Sequence, residues 1–156
     1  MVERLAHDPS TQLRFLTMLL AAATVAAVDQ WVKLAVATPS WAYHQRSDGW
    51  FLGSCALFVG MALLGTLPSR GVAAGAALFC GGILGNLMSA SAHHLAVPNP
   101  LLIGARDGIA FNVADVCILA GNMTLMVALS VLVVQNRRRL EAWRGAARAR
   151  VRERLR

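Results

Sequence analysis

The chain has 156 residues, of which 56% are hydrophobic and 15% charged, and a formal net charge of +7. Soluble domains carry about 25% charged residues, so the composition argues against a chain that is water-facing all round. Nine of the fourteen arginines lie between Arg137 and Arg156, which makes the positive charge largely a property of the tail. Nucleic-acid readers place arginines on a folded polar surface, whereas here they abut an apolar span. A membrane surface is the expected partner of this charge, and nucleic acid is not.

Crossing a bilayer as a helix takes about 20 apolar residues. Four stretches come close: 15–38, 50–67, 71–92 and 109–134. Arg14 ahead of an alanine-rich run resembles a signal peptide, but the run continues past Asp29 and Lys33 to Thr38, too long for that reading. A Pro68-Ser69-Arg70 turn joins the middle spans, and a Pro98-Asn99-Pro100 loop precedes the last. The expected fold is an all-α membrane protein, with a four-transmembrane-helix bundle over 1–134 and a basic tail helix over 135–156. Cytoplasmic flanks are enriched in Lys and Arg. The tail, Arg4 with Arg14, and Arg70 therefore place both termini and the middle turn inside, and the loops carrying Arg46 and Arg106 outside.

Ionisable groups at membrane depth are costly, and each is a functional-site hypothesis. Asp29 and Lys33 are four apart on the first span and can pair, with the lysine snorkelling toward the surface. Asn86 and Ser89 share a face of the third span, and Asn112 and Asp115 a face of the fourth. With a rise of about 1.5 Å per residue, Asp29, Asn86 and Asp115 fall roughly 9 to 14 Å from the outer ends of their spans, which predicts one polar layer. Asp115 has no basic residue within a helical turn and is the leading site candidate. Gly75, Gly81, Gly82 and Gly85 form a small-residue strip suited to close helix packing. Cys55, Cys80 and Cys117 lie in apolar segments without metal-ligand spacing and read as packing residues. Neighbouring His93 and His94 point in different directions on a helix, so no metal and no cofactor are expected.

These residues resemble the motifs of signal peptidase II, the aspartic lipoprotein signal peptidase of bacteria. Asp29-Gln30-Trp31-Val32-Lys33 is similar to its D-x-x-x-K box, Gly81-Gly82-Ile83-Leu84-Gly85-Asn86 to its G-G-x-x-G-N, and Phe111-Asn112-Val113-Ala114-Asp115 to its F-N-x-A-D. The resemblance covers nearly the whole apolar core. It implies a multi-pass protein of the bacterial cytoplasmic membrane with an outward-facing site. In that family two intramembrane aspartates activate a water, one taking a proton while the other holds one.

Here the family's G-N-x-x-D-R reads Gly85-Asn86-Leu87-Met88-Ser89-Ala90, so Ser89 stands where the first catalytic aspartate belongs, while Asp115 occupies the second position. An unassisted serine hydroxyl stays protonated at neutral pH and cannot serve as the base. Replacement carboxylates are few: Asp48 and Asp107 fall in outer loops, and Asp29 is tied to Lys33. The stretch 40–49 also lacks the family's N-x-G-x-x-F, which puts its substrate-cradling sheet in doubt. A degenerate member, catalytically inactive, is expected, with Asp29, Lys33, Asn86 and Asn112 as pocket residues and membrane lipid, a lipoprotein or another membrane subunit as partner. The rival expectation is an active, divergent peptidase in which Asp115 works with a substitute acid. A channel or transporter fits less well, because the charged layer occupies one half of the bilayer. In the tail, Leu140, Trp143, Ala147, Val151 and Leu155 form an apolar stripe among arginines, which predicts an amphipathic helix whose Trp143, Arg144 and Arg148 meet the anionic leaflet.

Overall fold

The computed structural model describes residues 9–104 and 108–154, with side chains in the last helix described as far as 137 and again at Glu141. Arg4, Arg106 and Asp107 lie outside the described residues, as do the side chains of Trp143, Arg144 and Arg148. Long apolar runs without internal proline give four α-helices among the described residues: α1 (Pro9–Ala35), α2 (Asp48–Leu64), α3 (Arg70–Ala92) and α4 (Val113–Arg154). Ser47 and Ser69 cap α2 and α3, their hydroxyls accepting from Trp50 N and Val72 N, which satisfies donors that a helix start leaves open.

The small residues of α3 make it the inner helix. Of its most apolar 18-residue window 67% is buried, against 22% for α1 and 11% for α4. Met18, Val72, Ala76, Ala77 and Leu125 form the core where these three meet. Leu20, Trp31, Leu119 and Val127 point outward instead. α1, α3 and the first 25 residues of α4 are each long and apolar enough to cross a membrane, and an apolar exterior is what a lipid solvent requires. α2, with 17 residues, reaches about 25 Å, somewhat short of the roughly 30 Å hydrocarbon layer.

The connections at one end of the bundle are more ordered than the sequence suggests. After α3 the chain reverses through His94 and Leu95, both at positive φ (50° and 68°). Leu95 N donates to Ala90 O at 2.8 Å, in the manner of a Schellman cap. The chain then enters β2 (Ala96–Pro98), which pairs antiparallel with β1 (Tyr43–Gln45), Tyr43 opposite Pro98 and His44 opposite Val97. β3 (Leu101–Ile103) pairs antiparallel with β4 (Ile109–Phe111).

Several expectations are corrected here. Residues 109–111 do not open the last span; they form β4, and α4 starts at Val113 because Asn112 supplies its cap. α1 stops at Ala35, ahead of Pro39, rather than running to Thr38. The stretch 40–49, expected to lack a cradle, contributes β1 to a small sheet. Backbone pairing needs no particular side-chain motif, so the missing pattern did not reveal it. Finally, 135–154 is not a separate tail helix, since α4 continues unbroken from the apolar segment to Arg154. No proline or glycine falls at the change of composition, and its 42 residues span about 63 Å.

The glycine strip does bring helices together, as expected. A Cβ on Gly82 would lie 2.5 Å from the carbonyl oxygen of Ala114 and 2.7 Å from Ile118, whereas one on Gly60 of α2 would meet nothing within 4 Å. Gly82→Ala is therefore expected to cost about 1–3 kcal/mol through overpacking, seen as a lowered unfolding temperature in detergent. Gly60→Ala should be neutral or slightly stabilising in the same measurement.

Candidate functional site

At the end of the bundle that carries the strands, a buried carboxylate meets the start of a helix. Asp29 on α1 is fully buried. Its Oδ1 accepts from Ala114 N at 2.8 Å, and its Oδ2 accepts from Lys33 Nζ at 2.6 Å and from Gln30 Nε2 at 3.2 Å. Ala114 is the second residue of α4, so the acid sits on an otherwise orphan N–H at the positive end of the helix dipole. Gly85 makes this approach possible, because a Cβ there would lie 2.7 Å from Asp29 Oδ2.

Asn112 and Asp115 complete that helix start reciprocally. Asp115 N donates to Asn112 Oδ1 at 2.9 Å, and Asn112 N donates to Asp115 Oδ2 at 3.2 Å. This is a capping box built from an asparagine and an aspartate. The other oxygen of Asp115, Oδ1, accepts from Asn86 Nδ2 at 3.0 Å.

Lys33 does not snorkel. Its side chain is 3% exposed and turns inward, where the ammonium also donates to Asn86 Oδ1 and Ser89 Oγ, each at 3.0 Å. All three of its hydrogens are thereby used. Three acceptors on two helices outweigh the access to water that the outer end of α1 would offer a single lysine. Ser89 is equally committed: it donates to Gly85 O at 3.1 Å and accepts from Lys33 and from Gln30 Nε2, the latter at 3.1 Å. A hydroxyl with its one donor and two acceptor positions filled is not poised as a nucleophile.

The structure thus joins all six sequence-predicted residues, Asp29, Lys33, Asn86, Ser89, Asn112 and Asp115, in one hydrogen-bonded network. Sequence reasoning missed two members. Gln30 directly follows Asp29, a spacing that does not place it on the same helix face, yet its amide reaches Gly85 O at 2.8 Å. Asn99, 1% exposed, accepts from Asn112 Nδ2 at 2.7 Å and donates to Ala110 O at 3.2 Å, tying the strands to the site. An asparagine enclosed by two prolines was the available signal.

Asp115 is the carboxylate of this network that is not fully buried, and among the described residues no basic side chain stands at ion-pair distance from it. Asp48 is exposed at the first turn of α2. His93 and His94 are exposed beyond the end of α3. Among the described residues no group of three or more potential metal ligands of the His, Cys, Asp and Glu types is found.

No known protein family and no curated protein matches the sequence. Two solved structures, each described as a bacterial membrane enzyme, are similar in fold. One superposes with a TM-score of 0.58 at 17% identity, covering 72% of this chain and 92% of its own. The other has a TM-score of 0.57 at 17% identity, covering 72% of this chain and 87% of its own. Taken with the three long apolar helices, this likeness marks the chain as a membrane protein of that fold.

Removing one partner of a buried ion pair leaves the other charge uncompensated, which costs about 3–5 kcal/mol. Lys33→Met is expected to destabilise the protein by about that much, measured by thermal unfolding in detergent. The double change Asp29→Asn with Lys33→Met should recover a substantial part of the loss. Additive losses would refute the coupling.

Proposed function

We propose that this chain is a signal-peptidase-II-like membrane protein that has lost hydrolysis and retains its polar pocket for binding a lipid, a lipidated protein or a membrane-complex subunit. One observation carries the reading: the network contains a single carboxylate, Asp115, in a position to face substrate. The other carboxylate, Asp29, has both oxygens engaged by Ala114, Lys33 and Gln30. The family's remaining aspartate position holds Ser89, whose hydroxyl is saturated. Acid–base activation of a water requires one group to take a proton while a second holds or gives one, and both must reach the same water.

The positive flanks complete the proposal. α2 is taken as a fourth, short span, with both termini on the cytoplasmic side of a bacterial inner membrane and the polar network in the outer half. The strands β1 to β4 then roof the network on the outer side. The continuous α4 carries its arginines out of the membrane on the cytoplasmic side, where anionic lipid attracts juxtamembrane positive charge.

The alternative is an active, divergent peptidase, favoured by the partial exposure of Asp115. The deciding experiment incubates the purified full chain with a diacylglyceryl-modified lipobox substrate. The expected outcome is binding without cleavage, with binding weakened at least several-fold by Asp115→Asn. Cleavage that Asp115→Asn abolishes would overturn the pseudoenzyme reading.

A further inference from the structure

The opposite end of the bundle carries a second feature, independent of the network. α1 and α3 touch closely at Gly81, where a Cβ would lie 2.6 Å from Val25 Cβ. Toward the first turn of α3 its residues on this side are Ala73, Ala74 and Ala77, too small to fill the space beside Leu13, Thr17 and Met18 of α1. A groove of about 560 Å³ results. Met18, Ala73 and Ala77 form its buried floor, and Arg14 and Arg70 stand on its two walls.

The charge in this groove is one-sided. Among the described residues no acidic side chain lines it. Arg14 spends one nitrogen on Thr11 Oγ1 at 3.1 Å, while its Nε is buried without a hydrogen-bond partner. A buried guanidinium N–H left unpaired is costly, and a phosphate oxygen is the acceptor that planar guanidinium geometry matches best. Arg70 opens α3 and Arg14 lies early in α1, so both guanidiniums flank one end of the groove. From Arg14 to Ala21, also on the groove, the lining descends about 10 Å along α1. Exposed Leu13, Leu16 and Leu20 continue on that helix, so the walls merge with an apolar, lipid-facing surface. Cationic at one end and apolar below, the groove has the polarity of a phospholipid.

We infer that this groove is a binding site for an anionic phospholipid, whose phosphate lies between Arg14 and Arg70 and one of whose acyl chains runs over the floor of Met18, Ala73 and Ala77. The site lies about 22 Å along α1 from Asp29 and does not depend on the function proposed for the network.

The test uses the full-length protein in neutral-lipid nanodiscs and a phosphatidylglycerol with a photoreactive group in its acyl chain, with labelled peptides mapped by mass spectrometry. Labelling is expected within 17–21 or 73–77, competed by unlabelled phosphatidylglycerol but not by phosphatidylcholine or glycerol phosphate. Apparent affinity for that labelling should fall about fivefold for Arg14→Gln or Arg70→Gln and about thirtyfold for both. Arg46→Gln, at the opposite end of the bundle where Arg46 stacks on Trp50, should leave it unchanged. Ala74→Leu, which fills the groove and keeps both arginines, should abolish labelling. Equal labelling by the phosphatidylcholine probe, equal competition by glycerol phosphate, or labelling that survives Ala74→Leu would each overturn the inference.

Discussion

The carboxylate of Asp29 accepts on one side from the backbone N–H at the start of α4 and on the other from the ammonium of Lys33. In an apolar surround neither the open N–H groups of a helix start nor a lone charge is tolerated, so each of these groups needs the others. The requirement sets the register of α1 against α4. It also fixes what α3 can be, because a side chain at position 85 would occupy the space of the acid. Asp29, Ala114, Lys33 and Gln30 thus come from two helices, and the third leaves room for the acid at Gly85 while its Gly85 O, Asn86 and Ser89 accept from Gln30 and Lys33.

From that contact the network extends in one direction, through Lys33 to Asn86 and Ser89, then through Asn86 to Asp115 and Asn112, and through Asn112 to Asn99 and the strands. Nearly every donor and acceptor along it is committed. A fully satisfied buried network confers rigidity and a unique arrangement, and on the proposed reading that is its present use: a pocket held in shape by groups that no longer need to exchange protons. Asp115 keeps some exposure while its oxygens are fixed by Asn86 and Asn112, which suits a group that recognises a ligand.

The two ends of the bundle are chemically distinct because α3 changes character along its length. Near Gly81 and Gly85 it admits close neighbours and a buried acid. Near Ala73 and Ala77 it leaves a gap between helices, bordered by arginines. A helix rich in small residues can do both, since what fills the space beside it is decided by the neighbours it is given.

Much of this was legible in the sequence. The apolar runs located the helices, and the polar residues within them placed Asp29, Asn86 and Asp115 in one layer with Lys33, Ser89 and Asn112 on the same helix faces, because buried charge among apolar residues is too costly to be incidental. Gln30 and Asn99 were not legible as site residues, since an amide beside a stronger group carries no periodic signal of its own. The inward turn of Lys33 was also hidden: an i,i+4 pair fits snorkelling and burial equally, and only acceptors 53 and 56 residues away decide between them. Strands β1 to β4 and the start of α4 at Val113 were tertiary decisions as well, because backbone pairing and capping draw on partners distant in the chain. By itself the sequence determined which segments are apolar and which polar groups must be buried among them. Only the folded structure decided how those groups divide their hydrogen bonds, because the donors and acceptors lie on different helices and meet only when the helices pack.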